Sequence, residues 1–367
     1  MPPPLGYDSD AEGPQECGGV NTGELCGSMF WLKFNQRFHR LDPTNEEYTA
    51  EIERSIYNVG ISAQVPGGAS IRYFARLLYA KQPGYRIGTC CEGQGTRMFG
   101  SLPEYVYSLS SDHKSVYVNL FAASTIKLRS GARITQATSF PAGSGDVSIT
   151  VSCPQVDCGT ITLWLRSPGW LAIDHLAVSL KRSVGGGAST TTTSIASIAR
   201  GSYGAIERGW SNGDTLTFTL ARKLRIVKYD GMSQLVGKTR YSVLYGPLLY
   251  AAVGFNDTSS GVDWRSVRPA AWHSNQWCIG VSIGAGKDPM DVGAWLKPVE
   301  HPGADLPGRP GVGRPGAWPV VPGAPTNVWF RPLGASNARI TFIPHFEVQR
   351  ERFTAFPFVD ATGAEES

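Results

Sequence analysis

Apolar residues recur at helical spacing in the first hundred positions of the chain. In the segment from Met29 to Leu41 they are four, four and three positions apart, which places them on one side of an amphipathic helix. Pro43 follows and ends the helix, because proline donates no backbone hydrogen bond. The pattern predicts an apolar helix face made of Phe30, Phe34, Phe38 and Leu41.

Two more helices are predicted in this region. Thr44 and Glu47 have the spacing of a capping box, in which a hydroxyl and a carboxylate accept hydrogen bonds from free N–H groups at a helix start. The helix that follows has apolar positions at Tyr48, Ile52, Ile56 and Val59, and its solvent side is assigned to Glu46, Glu47, Glu51, Glu53 and Arg54. A third helix is expected from just after Cys91 towards Leu109, with a kink or a later start at Pro103.

After Ser111 the apolar period changes from the helical value to two, which predicts β-strands. The first group has the spacing of a β-sandwich and comprises Val116–Phe121, Val147–Val151, Thr160–Leu165 and Thr215–Leu220. A second β-rich block begins near Leu224 and includes Tyr241–Tyr245, Leu248–Tyr250 and Ala338–Ile343. The low-complexity run Val184–Thr193 and the Pro/Gly-dense run Pro302–Pro325 are predicted to be loops.

These elements predict a multidomain α and β protein. We expect helices at residues 1–109, one β-sandwich domain at 110–224 and a second at 225–367. Three helices are too few to close a helical barrel. We therefore expect either a small helical cap or a chain that lacks an N-terminal portion of its helical domain.

Composition and charge exclude several classes of protein. Of the 367 residues 41% are apolar and 17% are charged, which is typical of a soluble globular protein. The net charge is +4 and no run of Lys or Arg suggests nucleic-acid binding. No apolar stretch approaches the roughly 20 residues that span a bilayer. Residues 1–13 lack the features of a signal peptide, so the compartment is unknown and cytoplasmic by default.

The cysteines indicate a site with chemistry. There are seven in all, and four of them lie in the first quarter of the chain. Glu24 and Cys26 would project to the same side of an extended segment just before the first helix. Cys90 and Cys91 are adjacent and would reach a common ion through a turn that the surrounding glycines allow. Glu24, Cys26, Cys90 and Cys91 together offer one oxygen and three sulfurs, a suitable shell for Zn²⁺.

Several alternatives remain for these cysteines. Cys26 could be an inert buried thiol, Cys17 could replace it as a ligand, and Cys90 and Cys91 could form a strained vicinal disulfide. Cys153 and Cys158 are either two free thiols or a hairpin disulfide, and Cys278 is expected in the core. Of the remaining candidates, His39 is expected on the surface, and Glu104 on a helix surface or beside the site. The tryptophans are expected in the sandwich core, with stacking on sugar as the alternative: Trp164, Trp170 and Trp210.

Several motifs resemble glycoside hydrolase family 127, the β-L-arabinofuranosidase-like proteins. They are Thr22–Ser28, Glu51–Asn58, Cys90–Tyr105, Leu165–Trp170, Trp210–Thr215 and Tyr245–Tyr250. The resemblance implies an (α/α)6 barrel followed by two β-sandwich domains, of which this chain would hold only part of the barrel helices. It implies zinc bound by Glu24, Cys26, Cys90 and Cys91, with Cys90 as the nucleophile that forms a thioglycosyl intermediate and releases the sugar with retention.

The resemblance also implies a general acid/base and a substrate. The family uses a glutamate somewhat before the zinc-binding one. Glu12 is preferred here over Glu16 by its distance along the chain. The implied partner is an oligosaccharide or a glycoprotein glycan, with a homodimer as a possible assembly and without a nucleic acid or a membrane. The rival hypothesis is an inactive fragment with a structural zinc and β-sandwiches that bind carbohydrate or a partner.

Overall fold

The computed structural model describes residues 22–65, 68–79, 81, 88–154, 157–184, 189–229, 239–254, 262–263, 279–299, 326–334, 340–348 and 353–361. The chain divides into two compact units. Unit 1 is drawn from Met1–Leu32, Arg54–Met98 and Leu224–Ser367, and unit 2 from Lys33–Glu53 and Phe99–Lys223.

The helices lie mostly in the first third of the chain, and all except α1 are short. They are α1 Leu25–Leu41, α2 Glu46–Arg54, a π-helix Ser55–Gly60, α3 Ile61–Ala63, α4 Cys90–Gly100, α5 Leu102–Val106, α6 Val292–Trp295 and a 3₁₀ turn His345–Glu347. The break between α4 and α5 falls beside Pro103, which sits in the first turn of α5, where a missing N–H costs nothing.

Strands make up most of the rest of the described chain. They are β1 Thr22–Glu24, β2 Phe74–Arg76, β3 Leu78–Tyr79, β4 Tyr107–Leu109, β5 Ser115–Val118, β6 Ser124–Lys127, β7 Arg133–Thr138, β8 Asp146–Ser152, β9 Asp157–Ser167, β10 His175–Val184, β11 Ser189–Ala199, β12 Ser202–Ser211, β13 Thr215–Thr219, β14 Leu224–Tyr229, β15 Arg240–Tyr245, β16 Leu248–Val253, β17 Val262–Asp263, β18 Ile279–Ser282, β19 Leu296–Val299, β20 Trp329–Pro332, β21 Thr341–Pro344, β22 Phe353–Thr354 and β23 Phe358–Asp360.

Unit 2 contains two sheets. One has the strand order β11-β10-β13-β8-β7-β6 and the other β12-β9-β5-β4. Neighbours are antiparallel except β5 and β9, which run parallel. In β8 every second residue is buried, with Val147, Ile149 and Val151 facing inward, as a strand with one solvated face requires. The predicted alternation is therefore confirmed in this strand.

Unit 1 is built on a larger sheet. Its main path is β17-β18-β23-β15-β16-β21-β20-β19, with β14 added to β15, and β22 paired with both β16 and β3. Strand β16 is buried along its whole length. Its core cluster contains Ala251, Val253, Trp329, Ile343, Val348 and Phe353. Strands β1 and β2 form a separate two-stranded ribbon that leads into α1.

The fold is thus mostly β-sheet with a few short helices. No described helix has the length and apolar character needed to cross a bilayer. The Thr run that was predicted to be part of a loop forms strand β11, which pairs with β10. Threonine is β-branched and favours a pleated strand. The low complexity of the run, on which the loop prediction was based, does not prevent strand formation. The predicted loop Pro302–Pro325 lies outside the described residues.

Helix α1 buries a different face from the predicted one. Phe30, Phe34 and Leu41 are 61%, 50% and 82% exposed, while Leu25, Met29 and Leu32 are buried. The buried stripe continues with polar residues. Gln36 donates to Glu104 and His39 lies 2.9 Å from Ser108 Oγ. Both stripes have helical spacing, so the sequence did not distinguish between them. The prediction of a surface position for His39 was wrong, because its ring is 2% exposed.

The predicted solvent side of α2 is also partly wrong. Glu46, Glu51 and Glu53 are buried. In unit 2 the buried Arg166 guanidinium binds Glu46 Oε1 at 2.6 Å and Glu53 Oε2 at 3.0 Å. Trp170 Nε1 donates to the same Glu53 oxygen at 2.7 Å. A charge enters a protein interior when it is paired and hydrogen-bonded, which explains why Glu46 and Glu53 are buried although the polar pattern placed them in solvent.

The start of α2 differs from the predicted capping box. The helix begins at Glu46, and the Glu47 N–H donates to Asn45 Oδ1 at 3.1 Å. The Thr44 hydroxyl donates instead to Asp42. Asn45 therefore occupies the N-cap position, and asparagine serves there as well as threonine.

Candidate metal centre

Two short segments of unit 1 bring four sulfur and oxygen ligands together. Glu24 is the last residue of β1, where it is paired with Phe74 of β2. The Leu25 N–H donates to the Tyr73 carbonyl at 3.1 Å, which fixes the chain where it leaves the ribbon. Cys26 is the second residue of α1. The expectation of one extended segment was thus only half right, since the strand ends between the two ligands.

The other two ligands open helix α4. Cys90 and Cys91 are its first two residues, so they lie in the first helical turn and not in a preceding loop. Cys91 is fully buried and Cys90 is exposed. Both are free thiols, and the vicinal disulfide alternative is not formed. The N-terminal end of a helix favours negative charge, so this position suits a thiolate.

The four ligand atoms converge closely. One ligand atom each from Glu24, Cys26, Cys90 and Cys91 lies within 4.8 Å of the other three. The sulfurs of Cys26 and Cys91 are 3.3 Å apart, and Glu24 Oε1 is 3.5 Å from Cys91 Sγ and 3.8 Å from Cys90 Sγ. Zn–S bonds of about 2.3 Å and Zn–O bonds of about 2.1 Å put the corners of a tetrahedron roughly 3.5–3.8 Å apart. The donor set and its spacing therefore fit zinc.

The three thiols differ in pKa because their surroundings differ. The Tyr73 hydroxyl lies 3.6 Å from Cys90 Sγ, and hydrogen bonding to Tyr73 is the main cause that lowers the pKa of Cys90. Burial raises the pKa of Cys26 to about 11, and it also raises the pKa of Cys91. Of the three sulfurs, the exposed one is therefore the most easily ionised. An exposed thiolate is the form in which cysteine is a nucleophile.

Tyr73 is the residue at this site that the sequence interpretation missed. It lies in the turn before β2, and its ring packs against Phe74 with centroids 4.6 Å apart. The usual protein ligands of zinc are cysteine, histidine and carboxylates, so a tyrosine carries no such signal in the sequence. The pairing of β1 with β2 brings it to the site, and that pairing is not visible as a motif.

Three of the other candidate residues, Cys153, Cys158 and Glu104, are described by the structure and are not part of this cluster. Glu12, Glu16, Cys17 and Cys278 are outside the described residues. Cys153 and Cys158 form a disulfide, which decides between the two alternatives for that pair. Glu104 is on α5 in unit 2, where it accepts a hydrogen bond from Gln36.

The three tryptophans all belong to unit 2. Trp170 and Trp210 are buried as expected. Trp164 is half-buried and stacks on Tyr117, with ring centroids 5.6 Å apart.

Comparison with known proteins identifies the relatives. Residues 115–222 match the family described as "Beta-L-arabinofuranosidase, GH127 middle domain", which covers most of unit 2. The chain is related to the GH127 family. This confirms the resemblance drawn from the motifs. A curated relative, the non-reducing end β-L-arabinofuranosidase of Bifidobacterium longum subsp. longum, is 23% identical over 326 residues, or 82% of this chain and 46% of the relative.

Solved GH127 structures share the fold. A β-L-arabinofuranosidase from Geobacillus stearothermophilus T6 superposes with a TM-score of 0.64 at 17% identity, covering 97% of this chain and 54% of the other. A second GH127 β-arabinofuranosidase gives a TM-score of 0.59 at 19% identity, with coverage of 98% and 54%. The chain thus spans about half the length of the relatives that it matches.

Proposed function

We propose that this GH127-related chain carries the nucleophile and the zinc ligands of a retaining glycosidase that releases terminal β-L-arabinofuranose or a related sugar. The observation that supports this proposal is the cluster of Glu24, Cys26, Cys90 and Cys91, in which one sulfur is exposed. A purely structural zinc site closes its shell against solvent, whereas a catalytic site keeps an approach to the reacting atom. The exposure of Cys90 favours a catalytic zinc site over the alternative hypothesis of an inactive fragment with a structural zinc.

Zinc would be held by these four side chains. When bound, it supplies positive charge that keeps the coordinating thiols deprotonated at neutral pH. The other contributions come from the protein. The Tyr73 hydroxyl is within hydrogen-bond reach of Cys90 Sγ and would hold this sulfur in one direction. The carboxylate of Glu24 lies beside both sulfurs of α4 and would fix their separation.

The reaction would proceed in two displacements. The Cys90 thiolate attacks the anomeric carbon while the bond from that carbon to the leaving oxygen breaks, and a carboxylic acid gives this oxygen its proton. Water then attacks the same carbon, loses a proton to the carboxylate, and the thiolate leaves. Two inversions give net retention. Glu12 is our proposal for the acid/base, and it lies outside the described residues.

The remaining expectations extend this proposal to the whole protein. We infer that the helices within residues 1–109 are part of an (α/α)6 barrel. Residues 110–224 and 225–367 would form the two β-sandwich domains that follow the barrel. The substrate would be an oligosaccharide or a glycoprotein glycan.

Replacement of the nucleophile tests the proposal. With p-nitrophenyl β-L-arabinofuranoside as substrate, we expect Cys90→Ser to lower kcat/KM by a factor on the order of 10³ or more, as loss of a covalent nucleophile does. Cys153→Ser is the control, because this cysteine is disulfide-bonded in unit 2. Elemental analysis should find about one zinc per chain. Equal activities of the two variants, or an active protein free of zinc, would contradict the assignment.

A further inference from the structure

Two hydrogen bonds close the first turn of helix α4 around its two cysteines. The Glu92 N–H donates to Thr89 Oγ1 at 3.2 Å, and the Gly88 N–H donates to Glu92 Oε2 at 2.9 Å. The Gly93 N–H donates to the Thr89 carbonyl at 3.1 Å, which is the first bond of the helix. Thr89 is therefore the N-cap, and Cys90, Cys91 and Glu92 follow as the first three helical residues. This is a capping box whose carboxylate reaches one residue further back than usual.

Gly88 adapts the chain to this arrangement. Its φ angle is +73°, a left-handed conformation that residues with a Cβ adopt only with strain. A Cβ built at this position would have no atom within 4 Å. The requirement for glycine is thus conformational and not a matter of space. The turned backbone directs the Gly88 N–H at the Glu92 carboxylate.

The two hydrogen bonds of this capping box join residues on either side of Cys90 and Cys91. If either is lost, the first turn of α4 can fray, because the early N–H groups of a helix have no partners within the helix. Cys91 is fully buried and Cys90 exposed, so fraying would expose the first and displace the second. Glu92 is absent from the four-ligand cluster formed by the described residues, and its carboxylate is instead engaged with the backbone.

We infer that Thr89 and Glu92 are positioning residues that pre-form the Cys90–Cys91 turn before a metal binds. A turn that is already folded does not have to be ordered at the expense of binding energy, so it increases affinity. Partners that orient metal ligands typically contribute 10- to 100-fold to metal affinity. The inference rests on the proposed function only in so far as this cluster is taken to bind zinc.

Zinc affinity provides the first test. Competition with a chromogenic chelator should show that Glu92→Ala binds Zn²⁺ about 10- to 100-fold more weakly than the wild type. Glu92→Gln should stay within about threefold, because glutamine can accept the Gly88 hydrogen bond. Glu47→Ala is the matched control, since Glu47 is an exposed glutamate in the first turn of α2. Wild-type affinity in Glu92→Ala would overturn the inference.

Thiol labelling provides a second test that needs no metal. In the zinc-free protein, N-ethylmaleimide should label the buried Cys91 about five- to tenfold faster in Glu92→Ala and Thr89→Val, because the lost cap increases the open population of the turn. Thr89→Ser should label like the wild type. Mass spectrometry separates Cys91 from Cys90. Unchanged labelling of Cys91 would refute the positioning role, whereas a wild-type protein that binds no zinc but shows these labelling differences would refute only the metal proposal.

Discussion

His39 shows at the scale of one residue how burial changes chemistry. Its ring lies 2.9 Å from Ser108 Oγ and 3.4 Å from Thr49 Oγ1. Burial is the main cause that lowers the pKa of His39 to about 4, with a further decrease from Arg166 and Arg40 and an opposing effect of Asp42. The folded protein therefore holds this imidazole neutral, while the unfolded chain binds a proton with a pKa near 6.5.

This difference makes the stability of the protein depend on pH. The contribution of neutral His39 to the free energy of unfolding is fully present above the unfolded pKa of about 6.5. It is lost as the pH falls from 6.5 towards 4, because in this range only the unfolded chain takes up the proton. The loss attributable to His39 is at most about 3 kcal/mol. Between pH 7.5 and pH 5 the free energy of unfolding, measured with urea, should decrease less in His39→Gln than in the wild type. The exposed His175→Gln serves as the control, and a decrease in His39→Gln equal to that of the wild type would contradict the prediction.

At the scale of elements, three of the family-like motifs contact one another within a unit. In unit 2 the Glu53 carboxylate of α2 accepts hydrogen bonds from Arg166 and Trp170, which belong to the Leu165–Trp170 motif. In unit 1 the Asn58 side chain of the π-helix donates to the Pro247 carbonyl at 3.0 Å and accepts from the Leu249 N–H at 2.9 Å. Residues of these three family-like motifs, Glu51–Asn58, Leu165–Trp170 and Tyr245–Tyr250, therefore hold helices against strands within one unit.

The buried ion group of α2 and β9 provides a test at this scale. Arg166→Met should lower the free energy of unfolding by about 3–5 kcal/mol, because it leaves two buried carboxylates without their cation. The exposed Arg129→Met should change it by less than about 0.5 kcal/mol. Adding Glu46→Gln and Glu53→Gln to Arg166→Met should restore part of the loss, since the uncompensated charge is removed. Equal effects of the two arginine variants in urea unfolding would exclude this role.

For the whole molecule, the cysteine cluster joins parts of unit 1 that are distant along the chain. Cys26 and Cys91 are 65 positions apart, and the ribbon β1–β2 and helix α4 meet only through folding. A ligand that binds only the folded state stabilises it by mass action, by about 2.7 kcal/mol at a concentration 100 times its Kd. Zinc bound at this cluster should therefore stabilise the fold of unit 1.

Thermal unfolding with and without metal tests this consequence. Addition of Zn²⁺ to the chelator-treated protein should raise the Tm by several degrees, in line with a few kcal/mol of binding energy. Cys26→Ser, which removes one ligand and leaves the residues of α4 unchanged, should reduce the shift by at least half. Cys153→Ser should retain the full shift. A wild-type Tm that does not respond to zinc would argue against a metal at this cluster.

The sequence by itself indicated the candidate ligands and determined the local periods. The Glu-x-Cys and Cys-Cys pairs indicated one oxygen and three sulfurs as candidate ligands, and these four ligand atoms do converge. Alternation identified strands such as β8, because side chains of a strand point to opposite faces whatever packs on it. Thr89 and Glu92 also have the spacing of a capping box, which is a pattern of the sequence alone.

Only the tertiary structure decided which side of each helix is buried. Helix α1 carries two stripes with the same spacing, and the buried one includes His39 and Gln36 because Ser108 and Glu104 provide hydrogen bonds from distant parts of unit 2. Glu46 and Glu53 are inside because Arg166 compensates their charge. Tyr73 reaches Cys90 through the pairing of two short strands. Burial of a polar group depends on the partner that meets it, and partners far apart in sequence are fixed only by the folded chain.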